Sequence, residues 1–336
     1  MITQTTASAF NCAAHETTDS YMPVRKASQR PLRAKLIFNA ISGRPQESPQ
    51  QLAGILNEMQ NWNISPEVYM VRPDSDVEHA VRNALRSGIK LIVVAGGDGT
   101  IDSVAGAMVG SSATLGIIPT GTRNNVAFNL GIPATVPEAV ALLRGGRRLK
   151  VDVGYLRTGS SHRWFLEAAS VGLISDLYPA ADELQHGDLA QVGNLLSTFV
   201  ASTPARLRAI FSDRERLDTN AYMVLIANMP YMGPRLRVGS RISCRDSRLD
   251  VYIFSDMTKL DLISYAVRSA GGLVEDAHLK HYRVRQVKIS SRPRMPVLAD
   301  GVLLQQGAVT IRVQPHSLAV IVGATGPAIG KSPRHR

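Results

Sequence analysis

Residues 91–100 read LIVVAGGDGT. Leu91 to Ala95 are apolar without a break, and then come Gly96, Gly97, Asp98, Gly99 and Thr100. A short run that is apolar at every position, rather than at alternate ones, predicts a strand buried on both faces, as in a parallel sheet covered by helices. Glycines at its end let backbone amides approach an anion with no β-carbon in the way. The helix expected next offers unpaired N–H groups and a positive dipole end. Asp98 does not bind phosphate directly, because like charges repel; it needs a cation between, or a proton to accept. The plainer alternative is a tight turn in which Asp98 or Thr100 caps the helix.

The pattern on either side agrees. Strand-like AKLIFN (34–39), EVYMV (67–71), KLIVVAGG (90–97) and ATLGIIPTG (113–121) alternate with helical segments at 48–62, 75–88, 100–110 and 136–146. Leu52, Ile55, Leu56 and Met59 repeat at helical spacing behind Ser48 and Pro49, which suit an N-terminus. This βαβα order predicts a parallel three-layer α/β domain over 31–148, binding its ligand beyond the carboxyl ends of the strands. Beyond it, strand-like segments dominate: 149–157, 163–172, 205–212, 220–229, 249–255, 282–291, 297–305 and 307–315, with helices near 188–202 and 258–271. They predict an antiparallel β-sandwich over 149–325. Residues 1–30 and 326–336 read as a disordered extension and a tail.

The chain has 336 residues and a formal charge of +11, which favours anionic partners. Only 5% of residues are aromatic, and no basic-aromatic alternation suggests stacking on single-stranded nucleic acid. No apolar run approaches the roughly 20 residues that span a bilayer. The two cysteines, Cys12 and Cys244, make no disulfide framework, and no CxxC or HExxH pattern points to zinc. A reducing cytoplasm is the expected setting.

A second loop repeats the logic of the first. In LGIIPTGTRNNVAFNLGIP (115–133) an apolar strand meets a Pro, a Gly-Thr turn and a polar helix start. GGDGT followed by P-x-G-T and L-G-I-P resembles the diacylglycerol kinase catalytic family, which includes bacterial lipid kinases and sphingosine kinases. FNAISGR (38–44) is similar to its nucleotide loop, IANMPYMGPRLRVGSRISCRDSRLDVYIF (226–254) to its later glycine and aspartate segment, and LADGV (298–302) to its D-G-E. The resemblance covers about residues 33–323.

It implies transfer of the ATP γ-phosphoryl group to a lipid hydroxyl, with Mg2+. Asn39, Ser42, Gly43, Gly97, Gly99, Thr100 and Thr122 would contact the nucleotide. Asp98 would be catalytic and organise the metal at the phosphates, with Asp152 as a second acid of that network. Asp246 would hold a structural magnesium, helped by carbonyls around Ser243 and Arg248. The implied partner is a lipid substrate at an anionic membrane surface, with no nucleic acid and no transmembrane segment. A homodimer and a cytoplasmic, peripherally membrane-attached location go with that reading.

Four departures bear on the chemistry. Asn125 stands at an Asp position of the family, Ser103 at a Glu position, and no Thr lies near Val71 for the nucleotide. Val302 takes the Glu position of D-G-E, where the general base on the acceptor hydroxyl is expected. Asp300, with Asp98 second, is then the candidate base. Otherwise deprotonation matters little in a loose transition state, or the ordinary reaction is lost. A kinase for a soluble acceptor and a nucleotide- or lipid-binding relative are the alternatives.

Overall fold

A computed structural model describes residues 30–42, 46, 48–178, 191–232, 236–239, 241–269 and 279–331. The expected N-terminal extension, Cys12, Gly43 and the residues after Lys331 lie outside them. The first half runs β1 (Leu32–Asn39), α1 (Ser48–Asn61), β2 (Ile64–Val71), α2 (Val77–Arg86), β3 (Leu91–Gly96), α3 (Asp98–Met108), β4 (Thr114–Pro119), α4 (Asn125–Asn129) and α5 (Val136–Gly145). The strands are parallel in the order β4-β3-β1-β2. Every residue of β3 and β4 is buried, as their unbroken apolar runs require. Helices α1 and α5 pack together, as do α2 and α3. Full burial of the central strands places the two pairs on opposite faces.

The start of α3 differs from expectation. Helix α3 begins at Asp98, not Thr100; Gly97 is its N-cap, and the Gly97 carbonyl accepts from the amides of Thr100 and Ile101. The short α4 follows Asn124, which sits in the left-handed region at φ 53°. It is the polar helix start expected after the Gly-Thr turn, and it spans only Asn125–Asn129.

The second half runs β5 (Arg147–Thr158), β6 (Ser161–Phe165), β7 (Ala168–Gly172), a helical stretch at 173–178, α6 (Gln191–Ala201), β8 (Ala205–Phe211), β9 (Arg216–Ala227), β10 (Tyr231–Met232), β11 (Leu236–Arg237), β12 (Leu249–Ser255), α7 (Lys259–Ser269), β13 (Leu279–Val284), β14 (Gln286–Arg292), β15 (Val297–Ala299), β16 (Val302–Leu304), β17 (Val309–Val322), β18 (Thr325–Gly326) and β19 (Gly330–Lys331). Its pairings are antiparallel, and Phe165, Leu207, Ile226, Val251, Val287 and Ile311 fill the sandwich interior. A second apolar cluster, including Tyr222, Tyr252, Phe254 and Leu262, lies on the other side of β9 and β12, with Phe199 of α6 packed against it.

The two halves share strands. β17 pairs with β5 from Val309↔Thr158 to Val322↔Arg147, and at Ala319 and Val320 it runs parallel to β4. The boundary expected at 148/149 therefore falls inside β5, and one sheet of 15 strands joins both halves. Residues 163–172, expected as one strand, divide into β6 and β7 around Leu166 and Glu167. Residues 297–305 form the hairpin β15–β16, turning at Asp300 and Gly301 with φ of 40° and 79°. Residues 326–331 are not a tail: β18 pairs with β19, and Ala328 and Ile329 are buried.

Candidate active site

Strands β1, β3 and β4 end side by side, and the three loops that leave them meet. The Asn39 side-chain amide donates to Thr100 Oγ1 at 2.8 Å, tying the end of β1 to the first turn of α3. A β-carbon built on Gly97 would stand 3.2 Å from Ser42 Oγ and 3.3 Å from the Cα of Gly121. One built on Gly121 would fall 2.4 Å from the Cα of Gly97. The two loops are thus in backbone contact, which requires glycine at 121 and leaves little room for a side chain at 97. Asn124 holds the second loop: its side chain accepts from the Gly121 amide at 3.0 Å and donates to the Gly121 carbonyl at 2.7 Å. Among the described residues no side chain caps α3, which leaves the amides of Asp98 and Gly99 available at its start. Gly99 and Thr122 are exposed.

Asp98 caps a helix other than its own. Its carboxylate accepts from the backbone amides of Asn125 at 3.0 Å and Val126 at 3.1 Å, the start of α4. Burial nevertheless pushes its carboxyl above the ordinary range, against those amides and the Arg123 guanidinium.

One helical turn on, Asp102 is only 5% exposed; among the described residues no N–H group donates to its carboxylate, and its hydrogen-bond neighbour is the Asp300 carboxyl. Burial raises it well above the usual range, and the neighbouring charges of Asp300, Glu167 and Asp98 add to this. Glu167, also buried, is raised by the same burial and then by Asp300 and Asp98, while the Asn125 side-chain amide hydrogen-bonds it. Asp300 sits in a nest of backbone amides from Leu166, Glu167 and Ala168, the last at 2.9 Å. Those amides are free to donate because the strand breaks between β6 and β7. Burial raises Asp300 despite them. Four carboxyl groups, two from each half of the chain, are therefore near enough at the seam to feel one another's charge.

Sequence reasoning named Asp98 and Asp300 but missed Asp102, Glu167 and the clamp at Asn124. Asp102 was findable: four residues after Asp98 on a helix, it shares that face. Glu167 carried a weaker signal, a lone acid within apolar FLEAAS (165–170).

The four residues expected around metal lie elsewhere. Asp152 is fully buried in the β17 bulge between Gln314 and Leu318. It accepts from the amides of Ser247 at 2.6 Å and His316 at 2.7 Å. Asp246 accepts from the Arg248 amide at 3.0 Å and pairs with the Arg283 guanidinium. Ser243 Oγ donates to the Ala328 carbonyl at 3.2 Å. The structure brings Asp152 beside loop 243–248 rather than beside Asp98, and protein donors already engage both carboxylates. Among the described residues, no three His, Cys, Asp or Glu side chains are grouped to hold a metal. Cys244, in the same loop, is buried, and its thiol is pushed up to about 12, which makes it inert.

Residues 33–156 match the diacylglycerol kinase catalytic domain, and residues 180–322 the YegS C-terminal NAD kinase beta sandwich-like domain. The chain belongs to the diacylglycerol kinase catalytic-domain family. It is 24% identical over 276 residues to a diacylglycerol kinase of Bacillus subtilis (strain 168), covering 80% of this chain and 89% of that one. It is 28% identical over 283 residues to a diacylglycerol kinase of Staphylococcus carnosus (strain TM300), covering 80% and 88%. The crystal structure of a diacylglycerol kinase from Bacillus anthracis str. Sterne superposes with a TM-score of 0.73 at 20% identity, over 88% of this chain and 99% of that one. At that identity the likeness concerns the fold. Within this family member, Val302 is 38% exposed on β16, and Ser103 Oγ bonds back to the Gly99 carbonyl at 3.0 Å. Neither side chain joins the carboxyl cluster through a hydrogen bond among the described residues.

Proposed function

We propose that this protein transfers the γ-phosphoryl group of ATP to a hydroxyl of a diacylglycerol-like or sphingoid lipid. One observation carries the reading: the Gly97 and Gly121 loops touch backbone to backbone beside a buried group of carboxyls. Phosphoryl transfer asks a protein mainly for positioning and for control of charge. The crevice supports both. Asn39, Ser42, Gly97, Gly99, Thr100 and Thr122 line the side where the nucleotide would lie, with the open α3 amides toward its phosphates.

The buried carboxyl of Asp102, one helical turn from Asp98 and without an N–H donor among the described residues, fits a cation. Magnesium commonly binds through one or two carboxylates together with substrate phosphates, so the lack of a preformed protein cage agrees with a metal held jointly with the nucleotide. Magnesium held there would neutralise charge on the β- and γ-phosphates. The donors around Asp152 and Asp246 do not fit a second metal unless they release their amides and Arg283.

In the step itself the lipid oxygen bonds to the γ-phosphorus while the bond from that phosphorus to the bridging oxygen of ADP breaks. The hydroxyl proton passes to a carboxylate. Val302 cannot take it. Asp300 and Asp98 remain candidates, but both are tied to backbone amides that lower their basicity. Glu167 has the Asn125 amide and feels the charge of both, which makes it the third candidate.

Incubation with labelled ATP, magnesium and mixed lipid vesicles tests the reading through the appearance of a labelled lipid phosphomonoester. Calorimetry with ATP and saturating magnesium should show heat of association; its absence overturns the kinase reading. Association without labelling across a broad acceptor panel would favour a nucleotide-binding relative.

A further inference from the structure

The sheet made by β6, β5, β17, β14, β8 and the start of β9 presents one side to the sandwich interior and the other outward. Within the sandwich, side chains alternate between the two sides over Tyr155–Thr158, Val309–Val313, Val287–Ser290 and Ala205–Ala209. Leu156, Ile311, Val287, Leu207 and Ala209 are buried, and Arg157, Arg312, Lys288, Arg206 and Arg208 are exposed. Register sets the basic residues in rows. Arg157 lies opposite Thr310, and Thr310 opposite Lys288; Arg312 lies between Tyr155 and Gln286. Arg206 stands directly opposite Arg292. Arg157, Lys288 and Arg312, with Tyr155, Gln286 and Thr310, rim a concavity of about 500 Å³ between β5, β17 and β14.

The face is nearly free of acid. From β9 come Arg216 and Asp218, and Asp218 is already paired with Arg208 at 2.8 Å. Among the described residues, the side chains of Arg157, Lys288, Arg206, Arg292 and Arg216 have no ion pair or hydrogen bond. The Arg312 guanidinium lies 4.9 Å from the Tyr155 ring centroid, a cation–π contact that leaves its charge uncompensated. Like charges set side by side across strands are unfavourable until an anionic surface meets them.

An apolar stripe adjoins this face. Followed along β9 past Asn220, the same outward side reaches Tyr222, in the cluster against which Phe199 of α6 packs and to which Leu262 of α7 belongs. Val192, Leu196 and Val200 recur every four residues on α6 and are 52%, 63% and 61% exposed; Leu260 and Ile263 of α7 are 74% and 47% exposed. The Lys259 ammonium donates to the Val200 carbonyl and joins the two helices. Helix α6 carries no charged residue. Leu177 packs on the same cluster as Phe199, and its neighbour Tyr178 accepts from Arg123 of the second loop at 3.4 Å. The apolar cluster beneath the stripe is thereby linked to the second loop of the crevice.

We propose that the basic sheet face and the exposed sides of α6 and α7 together form a docking surface for an anionic phospholipid bilayer. The proposal rests on the lipid-kinase reading for its purpose, though not for its test. Charge complementarity selects a polyanion. The apolar stripe then favours a bilayer over nucleic acid, since phosphate backbones offer nothing to Val192, Leu196 and Val200, whereas the acyl boundary does. Among the described residues no helix is long and apolar enough to cross a membrane, so contact of this kind lies along the surface.

The test uses the full chain without ATP and without any acceptor lipid. Sedimentation with vesicles of equal parts phosphatidylcholine and phosphatidylglycerol should show binding that phosphatidylcholine vesicles do not give and that high salt removes. Each basic residue near such a surface is worth roughly fivefold in partitioning. Combined Arg157→Gln, Lys288→Gln and Arg312→Gln should therefore weaken binding roughly 100-fold. Leu196→Asp should weaken it at low salt as well. Both variants should keep the native melting temperature and ATP-binding heat. Undiminished vesicle binding by the triple variant overturns the proposal. So does retention on duplex DNA that exceeds vesicle binding and disappears in the triple variant. Labelling of a lipid presented in detergent micelles reports on the kinase reading separately, so failure to dock leaves that reading standing.

Discussion

The Cα of Gly97 occupies the space that any side chain on Gly121 would need: a β-carbon there falls 2.4 Å away, against backbone that cannot swing aside. This contact holds the two phosphate-type loops in one crevice. Gly121→Ala should separate them. We expect a loss of about 1–3 kcal/mol in stability, typical of overpacking, and at least a tenfold loss in ATP affinity. Melting and calorimetry together check this. Unchanged values in both would mean the contact does not set the site.

Asp98 draws α4 toward α3 through the amides of Asn125 and Val126. Asp98→Asn keeps one acceptor oxygen but removes the charge. It should cost about 100-fold or more in phosphoryl transfer, the scale of losing one positioned electrostatic group, and little in melting temperature. Labelling at the native rate in Asp98→Ala would remove this residue from the mechanism.

The carboxyl group at the seam makes stability depend on pH. Asp102 and Glu167 have folded-state values raised well above those of the unfolded chain, chiefly by burial. Such groups favour the fold while protonated. Their contribution is complete below the ordinary carboxylate range and is lost as pH rises through the raised values. The nucleotide-free protein should therefore lose stability from about pH 4 upward. Asp102→Asn, which needs no proton to stay neutral, should flatten that slope. It should also raise stability at neutral pH relative to the native chain, because no buried carboxyl then has to ionise at that position. A slope that persists unchanged in this variant would clear Asp102 of the effect.

Two substitutions separate the candidate proton acceptors. Glu167→Gln should lower kcat with little change in the KM for ATP, and should move the acidic limb of the pH–rate profile. Val302→Glu places a carboxylate on an exposed position of β16 at little structural cost. A rate increase there would mean the native protein works without an efficient base. No increase, with Glu167→Gln strongly impaired, would assign the proton to Glu167. If both variants match the native rate, deprotonation does not limit the reaction.

Much of the first half was legible because its signals are local. LIVVAG reads as a strand buried on both faces, glycine turns close it, and the parallel order follows. Helix starts were read two residues late at Asp98 because Thr100 looks like a cap. In the fold Gly97 caps the helix, and Thr100 receives the Asn39 amide instead. The split of 163–172 into two strands was not legible. Its cause is Asp300, 132 to 134 residues away in sequence, whose carboxylate takes the three amides at the break.

The sequence by itself determined which segments are apolar on two faces and which on one. It also placed glycines where backbone must approach backbone, and so settled the α/β half, the sandwich and the two phosphate-type loops. Only the tertiary structure decided that β17 returns to pair with β4, that Asp152 serves the bulge where it does so, and that Asp98, Asp102, Glu167 and Asp300 share one buried seam. The physical reason is range. Strand and turn preferences act over a few residues, whereas burial and charge repulsion between carboxyls depend on distances that chain folding alone sets.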